Sequence, residues 1–147
     1  MKKALLTIGN TLRGDDGVGY AVGELVSGSG GWEVFHGEDC PENQVNLLRA
    51  YEPDIVVIVD AVLGLDEGDV QFLDVANEDR GMFSTHTIPV QYLIQFIHDF
   101  CESVVFLGIG VKYEKMIGIN PELSETAKLA AEKGVEMLRR FEEMLVE

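Results

Sequence analysis

Four side chains carry the chemistry that this sequence could perform. Asp15 and Asp16 stand together in "IGNTLRGDDGVGYAVGELV" (8–26), Asp60 closes "PDIVVIVDA" (53–61), and His86 lies in "STHTIP" (84–89). A carboxylate just before a helix caps it and meets the positive end of its dipole. One aspartate satisfies that need, so a second, adjacent one points elsewhere. Asp60 follows five β-branched residues, 55–59, which sets its backbone at the edge of the core. A lone carboxylate is costly there unless something pairs with it. His86 has Ser84, Thr85 and Thr87 around it rather than an apolar pattern, which makes it a loop residue. Two carboxylates and an imidazole form an oxygen–nitrogen set suited to a divalent transition metal. No thiolate joins the set, so a structural zinc cage is not expected. Three ligands would leave coordination positions open for chemistry or recognition.

The elements that must position these groups follow from periodicity. "KALLTIG" (3–9) is a continuous apolar run, as in a strand buried on both faces. Residues 17–26 place Val18, Ala21, Val22, Leu25 and Val26 at helical spacing. "WEVFHG" (32–37) alternates like a strand, and "PENQVNLLRAY" (41–51) reads as a helix with Pro41 in its first turn. The run 53–61 is the clearest central strand. "DVQFLDV" (69–75) is a more polar edge strand, 89–100 a helix, "SVVFLGIG" (103–110) a buried strand, and 121–146 a long amphipathic helix. Gly134 weakens that last helix by about 1 kcal/mol relative to Ala, which close packing would explain. Alternating strands and helices predict a three-layer α/β/α domain over residues 1–147. Its five-stranded sheet is twisted and mostly parallel, with helices on both faces. Ligand crevices in such sheets lie beyond the carboxyl ends of the strands. Asn10, Asp15, Asp16, His36, Glu38, Asp39, Asp60, His86, Lys112 and Glu114 all fall on that rim.

Asp and Glu outnumber Lys and Arg by 26 to 11, a formal charge of −15. Such a surface repels phosphate backbones, so nucleic acid is not an expected partner, whereas a cation is. Cys40 and Cys101 lie far apart and form no CxxC, which fits reduced thiols in a cytoplasmic protein. The first residues lack the long apolar stretch and cleavage site of a signal peptide. No segment approaches the ~20 apolar residues of a membrane span. Nucleotide motifs are missing too, with no GxxxxGK[ST] and no GxGxxG, and there is no GxSxG nucleophile elbow. Two carboxylates in the first loop would in any case repel a pyrophosphate.

"GNTLRGDDGVG" (9–19) resembles the opening signature of the hydrogenase maturation endopeptidases. "PENQVNLLRAYEPDIVVIVDA", "MFSTHTIPVQYLI" and "VVFLGIGV" resemble further blocks of that family in the same order. The similarity is greatest to the branch that processes the large subunit of hydrogenase-3-like, formate-hydrogenlyase-type enzymes. The resemblance implies a mixed sheet with an antiparallel edge strand. It also implies an endopeptidase that cuts a short C-terminal extension from the precursor of a NiFe hydrogenase large subunit, after nickel insertion. The family's metal-binding and catalytic positions match Asp16, Asp60 and His86, with the nickel supplied by the precursor. Many members carry an aspartate at the end of the second strand. Here His36 stands at that position, with Glu38 and Asp39 close behind. Two other readings use the same rim. A phosphoacceptor receiver domain would use Asp15 and Asp16, Asp60 as acceptor, and Lys112. A non-catalytic hydrogenase-assembly protein would bind the precursor without cutting it.

Overall fold

The apolar runs become strands covered on both sides, and in β3 (Ile55–Val62) every residue is buried. The computed structural model describes residues 1–75 and 89–146. The other strands are β1 (Lys3–Thr7), β2 (Glu33–His36), β4 (Val70–Leu73) and β5 (Ser103–Gly110). They pair in the order β2-β1-β3-β5-β4. β2, β1, β3 and β5 run parallel, and β4 joins the edge antiparallel to β5. The fold is therefore the expected mixed sheet with one antiparallel edge strand.

Among the described residues four α-helices cover the sheet: α1 (Val18–Ser27), α2 (Val45–Tyr51), α3 (Val90–His98) and α4 (Glu125–Val146). The alternation of side chains along each strand sorts the core into two layers. Leu5, Val57, Val59, Leu107 and Ile109 pack with Val18 and Val22 of α1 and Ala130 and Leu138 of α4. Ala4, Leu6, Val56, Ile58 and Phe106 pack with Leu48 of α2 and Leu93 and Ile97 of α3. Each fully buried Val, Leu or Ile contributes roughly 1.5–3 kcal/mol, so the two layers dominate the stability. A Cβ on Gly134 would meet Val22 Cγ2 at 3.3 Å, which supplies the close packing expected there.

Two boundaries differ from the sequence reading. The segment 41–51 opens with a 3-10 turn, Pro41–Gln44, before α2 begins. The last helix starts at Glu125 rather than at residue 121. Asn120 diverts the chain there: its Oδ1 accepts from Glu122 N at 3.0 Å, and its backbone bonds Leu12 O and Gly14 N. Ser124 then opens the helix, its Oγ accepting from Ala127 N at 3.2 Å.

Candidate functional site

The sheet order reverses direction between β1 and β3. From β1 the chain goes outward to β2, then crosses back so that β3 lies on the other side of β1. Ligand crevices in open α/β sheets form at such a switch point, outside the carboxyl ends of the strands. The register shows which residue of β3 stands at that point. β1 pairs with β3 only as far as Thr7 opposite Val59, whereas β3 continues against β5 through Asp60, Ala61 and Val62. Asp60 thus lies within β3 rather than after it, at the first position beyond the β1 pairing. It is 1% exposed.

Asp16 reaches the same region from the β1 side. Gly9 leaves β1 with φ 133°, and a Cβ there would lie 2.0 Å from Asp16 O, so only glycine lets the loop fold back this closely. The returning loop enters a 3-10 turn, Gly14–Gly17, which leads into α1. Asp16 is 3% exposed. Its Oδ2 accepts from Asn10 N at 2.8 Å. Its Oδ1 has no hydrogen-bond partner among the described residues. An anionic oxygen held away from water without a donor is costly, and a cation at that point would offset the cost.

Asp15, the neighbour, has another occupation. It accepts from Ser124 N at 2.8 Å and from Ser124 Oγ at 2.7 Å. Neither aspartate caps α1, whose amino end carries no side-chain cap. The expectation that one of the pair caps the following helix is not met: Asp15 instead fastens the start of α4 to the 14–17 turn. Ser124 escaped the sequence reading because Pro121 looked like the first residue of the helix. A serine just before the helical pattern was the signal available.

His36 is held in place. Its Nδ1 lies 2.7 Å from Thr7 Oγ1, its Nε2 lies 3.0 Å from Glu24 Oε2, and its ring stacks on Tyr20 with centroids 4.0 Å apart. Both ring nitrogens are thus engaged on the α1 side of the sheet. Beyond it opens a cleft of about 340 Å³ lined by His36, Glu38, Asp39, Cys40, Asn43 and Gln44. Local desolvation, with the carboxylates of Glu42 and Asp39 nearby, pushes the exposed Cys40 thiol up. Burial does the same to Cys101. Both cysteines are free, and neither sits in the electropositive setting that a thiolate nucleophile requires. Lys112 is 3.6 Å from Glu67, which also binds Lys115. His86 lies outside the described residues. Among the described residues no three His, Cys, Asp or Glu side chains form a group that could hold a metal ion. No described helix is long and apolar enough to cross a membrane.

Fold and site together define a three-layer α/β protein with buried carboxylates at its switch point. The family model described as HycI, hydrogenase maturation protease, matches residues 24–140. The chain is 32% identical to the hydrogenase 3 maturation protease of Escherichia coli (strain K12), over 97% of this chain and 92% of that protein. A solution structure of the endopeptidase HycI from Escherichia coli superposes with a TM-score of 0.83 at 32% identity, covering 97% and 92% of the two chains. A crystal structure of a NiFe hydrogenase maturation protease HycI from Thermococcus kodakarensis KOD1 gives a TM-score of 0.79 at 28% identity, covering 93% and 89%. The chain belongs to the hydrogenase maturation protease family, and its activity is that of a peptidase.

Proposed function

We propose that this protein removes a short C-terminal extension from the nickel-loaded precursor of a NiFe hydrogenase large subunit. In this reading Asp16, Asp60 and His86 grip the nickel that the precursor already holds. The nickel is cargo of the substrate. It reports that the precursor is ready and positions the bond to be cut. One observation carries the reading: a buried carboxylate oxygen of Asp16 lacks a donor at the switch point, one strand away from Asp60. Hard carboxylate oxygens and an imidazole nitrogen suit a borderline dication such as nickel. Two chemical routes use these groups. The nickel polarises the scissile carbonyl or a water, or a carboxylate acts as general base toward the attacking water.

The test uses purified precursor with and without nickel, followed by mass spectrometry of its C-terminus. The wild-type protein is expected to shorten only the nickel-loaded form, and Asp16→Asn and His86→Ala are expected to shorten neither. Complete processing of nickel-free precursor, or by both variants, would remove the proposal.

A further inference from the structure

We propose that Asn10 and Asp39 are positioning residues that aim Asp16, an inference that rests on the function proposed above. Beyond the paired residues of β1 and β2, the two chains stay laced together. Gly37 N donates to Thr7 O at 2.7 Å, and Gly9 N donates to Glu38 O at 3.0 Å. The third link is made by side chains, Asn10 Nδ2 donating to Asp39 Oδ2 at 3.1 Å. The other end of the same amide, Asn10 Oδ1, accepts from Leu12 N at 2.8 Å. With both ends of its side chain engaged, Asn10 cannot turn, and the direction of its backbone N–H is set. That N–H is the donor to Asp16 Oδ2. Fixing Oδ2 fixes the carboxylate plane, and with it the direction in which the unpartnered Oδ1 points.

The residue types fit these roles. A side-chain amide carries a donating nitrogen and an accepting oxygen on a short stem, and this position uses both ends. An aspartate at position 10 would keep the acceptor for Leu12 but would set a second carboxylate against Asp39. Asp39 lies on the exposed rim, so its removal leaves the core intact. With His36 held by Thr7, Glu24 and Tyr20, the carboxylate that serves the end of β2 is Asp39. It acts on Asp16 through Asn10.

The experiment measures kcat and KM on nickel-loaded precursor, the hydrogen-exchange protection of the residue-10 amide, and the thermal midpoint. A displacement of about 1 Å at a reacting group can cost ~100-fold. On that scale Asn10→Asp is expected to lower kcat about 30-fold and Asp39→Ala about 10-fold, with KM within about 3-fold of wild type. Protection of the residue-10 amide is expected to fall in both. The double variant Asn10→Asp with Asp39→Asn restores one donor facing one acceptor. It is expected to recover kcat to within about 3-fold of wild type, together with amide protection. The inference is overturned if Asn10→Asp or Asp39→Ala keeps wild-type kcat, if KM rises instead, or if the double variant is no better than Asn10→Asp. If the wild-type protein leaves the precursor uncut, the proposed function fails and this inference with it. Wild-type cutting without these effects removes the positioning roles alone.

Discussion

The two ends of the sheet treat their carboxylates differently. At the amino end Glu142 of α4 is fully engaged: Oε1 accepts from Trp32 Nε1 at 2.9 Å, and Oε2 pairs with Lys3 Nζ at 3.2 Å. Lys3 also lies 5.9 Å above the Trp32 ring. A cavity of about 280 Å³ opens beside this cluster, lined by Val26, Trp32, Val135 and Leu138 among others. It has the apolar walls of a small-molecule site, yet every polar atom of Glu142 is answered from within the fold. At the carboxyl end Asp15 is answered just as fully, and Asp16, the next residue, is not. The contrast is one of completeness: the carboxylate beside the apolar cavity is satisfied within the fold, and at the opposite end one buried carboxylate oxygen has no hydrogen-bond partner among the described residues.

The sharpest way to break that comparison is Asp16→Asn. Asparagine still offers Asn10 N an acceptor but no longer offers an anionic oxygen to the crevice. Processing of nickel-loaded precursor is expected to fall about 1,000-fold, the scale for losing a preorganised charge-stabilising group. Stability is expected to stay within ~0.5 kcal/mol of wild type or to rise, because a charge buried without a full set of donors has been neutralised. Urea unfolding measures the second half. A large loss of stability would place Asp16 with Asp15 among the structural carboxylates.

Asp15→Ala should show the reverse emphasis. It leaves Ser124 N–H and Oγ without their acceptor and is expected to cost about 2–4 kcal/mol. Ser124→Ala, which removes the hydroxyl of the α4 cap but keeps the N–H bond to Asp15, is expected to cost about 1–2 kcal/mol. Both values come from urea titrations. Glu142→Ala at the opposite end is expected to cost about 1 kcal/mol, chiefly by leaving Trp32 Nε1–H unanswered. The ion pair with Lys3, partly exposed, adds little. Processing by Glu142→Ala is expected to match wild type, and a lowered rate would bring the amino end into the function.

Most of this organisation is written in local sequence. β1, β3 and β5 declare themselves by apolar runs, β2 by alternation and β4 as a more polar edge, and both aspartates and Asp60 stand out as charges near such runs. What stayed hidden was long-range. Nothing near Asp15 in the chain announces that Ser124, 109 residues away, is its donor. Nothing near His36 announces Thr7 and Glu24. The register by which β3 outruns β1, and so leaves Asp60 beyond the β1 pairing, is a property of paired strands rather than of either one. The boundary of α4 was missed for a related reason. A proline followed by helix-forming residues looks like a start, and the Asx turn at Asn120 that delays it depends on contacts with residues 12–14.

The smallest expected effect concerns the loop beside the site. A hydrogen bond from Lys115, reinforced by the charges of Lys115 and Lys112, holds Glu67 below the usual carboxylate range. The same bond raises Lys115. A folded-state value below the unfolded one means that Glu67 contributes stability at pH values above the ordinary carboxylate range. That contribution is lost as pH falls through the folded value. Glu67→Gln is therefore expected to lower the unfolding midpoint slightly at pH 7 and to leave it unchanged at a pH where wild-type Glu67 is protonated. The two curves converge on the acid side. Solvent screening keeps the gap small, and added salt narrows it further. Urea midpoints at neutral and acid pH, each at low and high salt, measure both trends. A gap that stayed the same into acid would mean that Glu67 stabilises the loop by packing rather than by charge. The loop after β5 would then resemble the amino end of the sheet more than the site it borders.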